Sequence, residues 1–198
     1  MKLPNSTMCF FQHSIIHTIL SKFSKFFGLA MQCFRLKRTP LSFNDFENSK
    51  VNHLVAKRNA SVVWEKDLLH GSGKVKLASG ALTEFPVSWS ARIEESGGKT
   101  SPEELLAAAQ ASCFAMAMSA GLARNGTPPE RLDVNAQCTF EKVGDGWKVT
   151  TMEINVEGKV PGISNEKFEE VAASTAKNCP ISGAISGNVK ITHIAKLA

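Results

Sequence analysis

The chain has 198 residues, 43% of them hydrophobic, enough for one domain with a proper core and an extension beside it. Its formal charge of +5 sits at one end: residues 1–58 carry nine Lys/Arg against two Asp/Glu, and the remainder carries fourteen against sixteen. The balance beyond residue 58 lacks the basic face of a nucleic-acid-binding domain, and five cysteines without a CxxC pair argue against a disulfide framework or a structural zinc site.

Residues 1–58 read as an N-terminal basic extension and residues 59–198 as the folded domain. Phe10, Phe11, Phe23, Phe26, Phe27 and Phe34 alternate with lysines, and no acid precedes Asp45. Residues 14–34 pattern as a basic amphipathic helix whose apolar runs fall short of the ~20 residues of a membrane span. The composition fits a transit peptide, a surface-seeking helix, a misassigned start, or a poorly ordered tail. Membrane contact is expected only through this extension. His13 and His17 lie four apart without a third ligand, and Cys9 and Cys33 have no assigned role. No metal or bound cofactor is expected, and the domain is placed in the cytoplasm.

From residue 60 the pattern turns to strands. Val62, Val63 and Trp64 mark the first, and Val75 and Leu77 the second. Residues 86–93, with Val87, Trp89, Ala91 and Ile93 on one face, are expected as a third. A long helix follows over 101–126. Ser101 is its N-cap, Pro102 suits the first helical position, and Glu104 completes a capping box. Asn125-Gly126 and Pro128-Pro129 end it. Between Leu105 and Ala123 there is no charge, so the helix is expected to be buried nearly all round. Its many small residues suit close packing on sheets or on its own copy. Residues 132–143 and 147–156 form a hairpin across Gly144-Asp145-Gly146. A second helix, 164–178, turns Phe168, Val171, Ala172 and Thr175 inward. Residues 181–185 form a short helix, and 188–194 a last strand. The order β-β-β-α-β-β-α-β points to an α+β fold with antiparallel sheets around a long central helix.

Four residues carry chemical interest. Cys113 sits mid-helix among apolar residues, where burial keeps most thiols protonated and inert. Cys179 precedes Pro180 beside a helix N-terminus, a position that favours ionisation. Two cysteines on separate elements suggest, weakly, a redox couple. Arg92 and Glu103 by themselves read as a solvated strand residue and an ordinary first-turn acid. Cys138 reads as a packed sheet residue.

The runs TSPEELLAAAQASCFAMAMS (100–119), VPGI (160–163) and NCPIS (178–182) together resemble the OsmC/Ohr family of thiol-dependent hydroperoxide reductases, closest to the OsmC branch. The resemblance spans residues 60–196 and leaves 1–58 aside. It implies that Cys113 is the peroxidatic cysteine, Cys179 the second cysteine that closes a disulfide with it, Glu103 the carboxylate of the PE motif, and Arg92 the OsmC-branch arginine. The Ohr branch carries its arginine in the loop after the first strand, where this chain has only Lys66 and His70. The resemblance further implies an intertwined homodimer, small organic hydroperoxides as substrates, and an external dithiol reductant of lipoyl type.

A thiol of ordinary pKa is only about 3% thiolate at pH 7, and an arginine ~4 Å away contributes on the order of 4 kcal/mol at a dielectric near 20. Glu103 and Cys113 stand ten residues apart, about 15 Å along a straight helix. Either the first turn bends back, or Arg92 and Glu103 serve the Cys113 of a second chain; the second is expected. Phe114, Met116 and Met118 are expected to wall the cysteine and favour alkyl hydroperoxides. The alternatives are a non-catalytic binding module of the same fold for an apolar ligand or partner, and a membrane-surface protein.

Overall fold

A computed structural model of the chain describes residues 55–198. The expected features of the extension (the helix over 14–34, His13 and His17, Cys9 and Cys33) lie outside the described residues. Three strands come first: β1 (Ala60–Glu65), β2 (Ser72–Leu77) and β3 (Phe85–Val87). Then come α1 (Trp89–Ile93), α2 (Pro102–Arg124), β4 (Arg131–Val143), β5 (Gly146–Lys159), α3 (Asn165–Asn178), α4 (Pro180–Ile185) and β6 (Lys190–Leu197). The expected α+β architecture with a long helix is what the chain adopts.

The strands form two sheets, β1-β2-β3 and β4-β5-β6. The first is antiparallel throughout, with Ala60 opposite Leu77 and Gly73 opposite Val87. In the second, β4 and β5 make the expected hairpin, but β6 runs parallel to β5. The connection explains this. Antiparallel neighbours can join by a tight turn, whereas the path from β5 through α3 and α4 is a crossover that returns the chain in the same direction. A register shift between Thr139 and Phe140 pairs them with Thr151 and Val149 and leaves Thr150 as the extra residue. That bulge resolves the break in alternation between Val149 and Met152.

Residues 86–93 do not form one strand. Ser88 ends β3 at Val87, and its Oγ accepts the Ala91 N–H at 3.3 Å, capping the short helix α1. The change matters for Arg92. A strand would put it on the face opposite Trp89. In a helix the two residues, three apart, lie on the same side, and the Arg92 Cζ is 5.9 Å from the centre of the Trp89 ring.

Helix α2 begins as the sequence predicts. Ser101 Oγ accepts the Glu104 N–H at 3.1 Å, Pro102 opens the helix and Gly126 follows it with φ +79°. The Glu104 carboxylate accepts from the Thr100 hydroxyl instead of closing the box. The expectation of burial nearly all round does not hold within one chain. Only Glu103, Gln110, Phe114, Met118 and Leu122 are buried, a single stripe at helical spacing. Met116, on another side, is 68% exposed. By length and composition α2 would pass for a membrane span, yet its stripe joins the core of this domain. Phe114, Met118 and Leu122 pack with Met152, Ile154 and Val156 of β5 and with Phe168, Val171 and Ala172 of α3. The four inward residues expected for α3 are its four buried ones. Strand β1 is exposed at all six positions, Val62 and Val63 included.

Gly158 on β5 makes room for the ring of Phe168. A Cβ there would overlap Phe168 Cζ and Cε2 and press on Leu132. Gly158→Ala is expected to lower unfolding free energy by about 1–3 kcal/mol, the range for overpacking a filled core. Urea denaturation checks this, and an unchanged midpoint would show that Phe168 yields without cost.

Candidate active site

Cys113 lies halfway along α2, on the residue before the buried Phe114, so it sits at the edge of the core and remains partly accessible. Cys179 lies at the corner between α3 and α4. A residue before proline is driven out of the helical region, and Cys179 is extended at φ −62°, ψ 125° while its N–H still bonds Thr175 O at 2.8 Å. Pro180 then opens α4 at its first position. This corner delivers Cys179, 1% exposed, to α2, where its Sγ stands 2.9 Å from the Sγ of Cys113. Both thiols are free.

The two sulfurs differ in their surroundings. Burial pushes the Cys113 thiol up, and the hydrogen bond with Cys179 pushes it further; the Ile181 N–H only partly offsets them. Burial also opposes ionisation of Cys179. There the hydrogen bond from Cys113, the N–H and hydroxyl of Ser182 and the N–H of Ile181 outweigh it, and the thiol is held below its ordinary range. The negative charge of the pair is therefore favoured on Cys179 within one chain. Among the described residues no cation is among the groups acting on Cys113.

The other two expected site residues meet each other and not the thiols. Arg92 Nε donates to both carboxylate oxygens of Glu103 at 3.0 Å, and Nη2 donates to Oε1 at 2.6 Å. Glu103 is 7% exposed, so its charge requires this fork. The guanidinium also lies over the Phe140 ring, 4.1 Å from Cζ to its centre, and Phe140 stacks on Trp147 at 5.1 Å. Trp89 meets Trp147 edge-on at 5.7 Å. Carboxylate and aromatic rings thus hold Arg92 rigid, and among the described residues its Nη1 donates to none. Arg92, Glu103, Phe140 and Cys138 line a cleft of about 580 Å³ that does not include Cys113. Burial first, and the charge of Glu103 second, push the Cys138 thiol up, so it is a poor nucleophile. Because α2 runs unbroken from Pro102 to Arg124, its first turn does not bend back. Glu103 and Cys113 stay about 15 Å apart along its axis.

A family model described as OsmC-like protein matches residues 95–194. This chain belongs to the OsmC family. It is 34% identical over 133 residues to Peroxiredoxin OsmC of Escherichia coli (strain K12), an alignment covering 67% of this chain and 92% of that protein. It is 28% identical over 97 residues to an organic hydroperoxide resistance protein of Xanthomonas axonopodis pv. citri, covering 48% of this chain and 66% of the other. Among solved structures, an organic hydroperoxide resistance protein from Legionella pneumophila superposes with TM-score 0.58 at 22% identity, covering 72% of this chain and 99% of that one. One from Elizabethkingia anophelis gives 0.60 at 20%, covering 74% and 99%. These two likenesses establish the fold.

Against the OsmC pattern, the expected wall around Cys113 needs correction. Phe114 and Met118 are fully buried in the core, because they lie on the stripe that faces β5 and α3. Met116, three residues from Cys113, is the apolar side chain left on its side. Three contributors were missed by sequence reasoning: Ser182, the aromatic bed of Arg92, and Gln110. Gln110 is the one amide between Leu105 and Ala123, three residues from Cys113, and that isolation was the available signal. Among the described residues no group of three or more His, Cys, Asp or Glu gathers to hold a metal.

The opposed shifts give a pH test. Cys179→Ala removes a hydrogen bond that keeps Cys113 protonated, so Cys113 should titrate at lower pH. Cys113→Ala removes a donor to the Cys179 thiolate, so Cys179 should titrate at higher pH. Alkylation at graded pH, read per cysteine by peptide mass spectrometry, checks both signs. A rise for Cys113 in Cys179→Ala would contradict the pairing.

Proposed function

We propose that this OsmC-family chain is a thiol peroxidase that reduces organic hydroperoxides to alcohols. The observation that carries the reading is the 2.9 Å separation of the Cys113 and Cys179 sulfurs in a protein whose relatives are named for peroxide chemistry. The Cys113 thiolate attacks the outer peroxide oxygen. The O–O bond breaks, the alkoxide takes a proton and leaves as the alcohol, and Cys113 becomes a sulfenic acid. Cys179 attacks that sulfur. The S–O bond breaks, hydroxide leaves as water, and a Cys113–Cys179 disulfide forms. An external dithiol of lipoyl type returns the two electrons. Cys113, with its partial exposure, suits the role that meets substrate, and the shielded Cys179 suits the role that meets only Cys113.

The site is completed by a second copy. Among the described residues no cation acts on Cys113, and Arg92 is held by Glu103, about 15 Å from Cys113 along α2. The exposed apolar strand β1 and the uncovered small-residue sides of α2 support an intertwined homodimer in which Arg92 and Glu103 of each chain face Cys113 of the other. Trp89, Phe140 and Met116 would then surround the peroxide with apolar groups and favour organic hydroperoxides over hydrogen peroxide. Free thiols of this kind suit a reducing compartment, the cytoplasm.

Thiol titration after one equivalent of cumene hydroperoxide should register the loss of two thiols per chain. No loss would favour a non-catalytic binding module. Arg92→Ala should slow peroxide reduction about tenfold or more, one unit of Cys113 pKa. Co-expressed Arg92→Ala and Cys113→Ser chains should recover about a quarter of wild-type turnover, the share of intact sites left by random pairing in a two-fold dimer. Zero recovery would mean that each chain builds its site alone.

A further inference from the structure

We infer that Gln110, acting with Ser182, is the positioning residue that readies Cys179 for disulfide closure; this rests on the peroxidase reading above. Gln110 is fully buried in the middle of α2. Its Nε2 donates to Ser182 Oγ at 2.8 Å and reaches Cys179 Sγ at 3.8 Å, the long end for a sulfur acceptor. Ser182 is 1% exposed and lies in the turn of α4 that begins at Pro180. With its oxygen accepting from Gln110, the Ser182 hydroxyl is turned toward Cys179. Its backbone N–H points the same way, and both favour the thiolate.

The amide is kept at a cost. Gln110 Oε1 is buried and has no hydrogen-bond partner among the described residues. Such an atom is rare in a well-packed interior and calls for an explanation. A methionine of similar volume would occupy this buried position without the orphaned oxygen. What methionine lacks is a donor, and the donor is the part of Gln110 that touches the redox pair. Residues 110 and 113, three apart, also share a side of α2. The helix therefore presents the sulfur to be oxidised and the amide that orders its partner as one rigid unit.

In the resolving step the Cys179 thiolate attacks the sulfur of the Cys113 sulfenic acid, the S–S bond forms, and the S–O bond breaks. The hydroxide released takes a proton to become water. Donors on Cys179 raise the thiolate fraction available for that attack. They act again when an external dithiol attacks the Cys113 sulfur and Cys179 departs as the thiolate. Neither event involves Cys113 as the nucleophile toward peroxide, so Gln110 should govern resolution and leave the first step much less affected.

The test uses the full chain with Gln110→Met, which keeps the volume and removes the donor, and with Ser182→Ala, which leaves the buried amide in place. Stopped-flow mixing with cumene hydroperoxide gives the peroxide step. Timed trapping of the Cys113 sulfenic acid with dimedone, quantified by mass spectrometry from pH 5 to 9, gives resolution. Both variants should resolve about tenfold more slowly at pH 7, as expected for losing a hydrogen bond to a charged group. The midpoint of the resolution profile should move upward by about one pH unit, with more sulfinic acid on Cys113. A packing role would lower the rate without moving the midpoint. An unmoved midpoint, or a peroxide step slowed as much as resolution, overturns the assignment. If Gln110→Met does not fold, Ser182→Ala alone decides. If wild type forms no sulfenic acid, the peroxidase reading and this assignment fall together; normal wild-type resolution with an unmoved variant midpoint sinks this assignment alone.

Discussion

The structure turns on the approach of two sulfurs to 2.9 Å from positions 66 residues apart in the chain. Neither helix alone creates it. The stripe Phe114, Met118, Leu122 fixes the rotation of α2 against β5 and α3, and Cys113, one residue from Phe114, is thereby set at the rim of the core. Pro180 forbids α3 from continuing, and the Thr175 carbonyl holds the Cys179 N–H, so the chain turns where α2 passes. A disulfide needs about 2.05 Å between sulfurs. The remaining gap between the two sulfurs is roughly 1 Å.

The second constraint is a buried carboxylate. Glu103 sits in the first turn of α2, beneath the surface, and a lone charge there would be expensive. Arg92 answers it with three hydrogen bonds and is clamped from the other side by Phe140. Such a fork is rigid and directional, qualities that an exposed lysine on a long stem would not have. The pair is near neutral as a whole, so what it offers a neighbour is the outward edge of the guanidinium rather than a diffuse positive field. That edge has to meet an anion at close range to matter, which is why the proposed site draws on a second chain.

Much of this was legible in the sequence. The cap of α2, the inward face of α3 and the hairpin at Gly144 follow from local signals, whereas the pairing of Cys113 with Cys179 was implied only by the resemblance to the OsmC/Ohr family. What was not legible depended on competition between local readings. Alternation over Val87, Trp89, Ala91 and Ile93 mimics a strand, but the hydroxyl of Ser88 can cap a helix turn, and the turn won. The direction of β6 depended on the crossover formed by α3 and α4, which no residue in β6 encodes. The sequence did not show which sides of α2 its own chain covers, because an apolar surface does not reveal whether its own chain or another covers it; within one chain only one stripe is buried. Gln110 escaped notice because a single amide in an alanine-rich helix resembles a solvent-facing residue until its partners are known.

The most direct measurement is the connectivity of the oxidised protein. After stoichiometric peroxide and digestion without reductant, mass spectrometry should find one dominant linked species, joining the peptides that contain Cys113 and Cys179 of the same chain. Backbone amide exchange of α2 and α3 should remain close to that of the reduced form. A dominant link from Cys113 to Cys138 or between chains, or sulfinic acid on Cys113 without any link, would contradict the account.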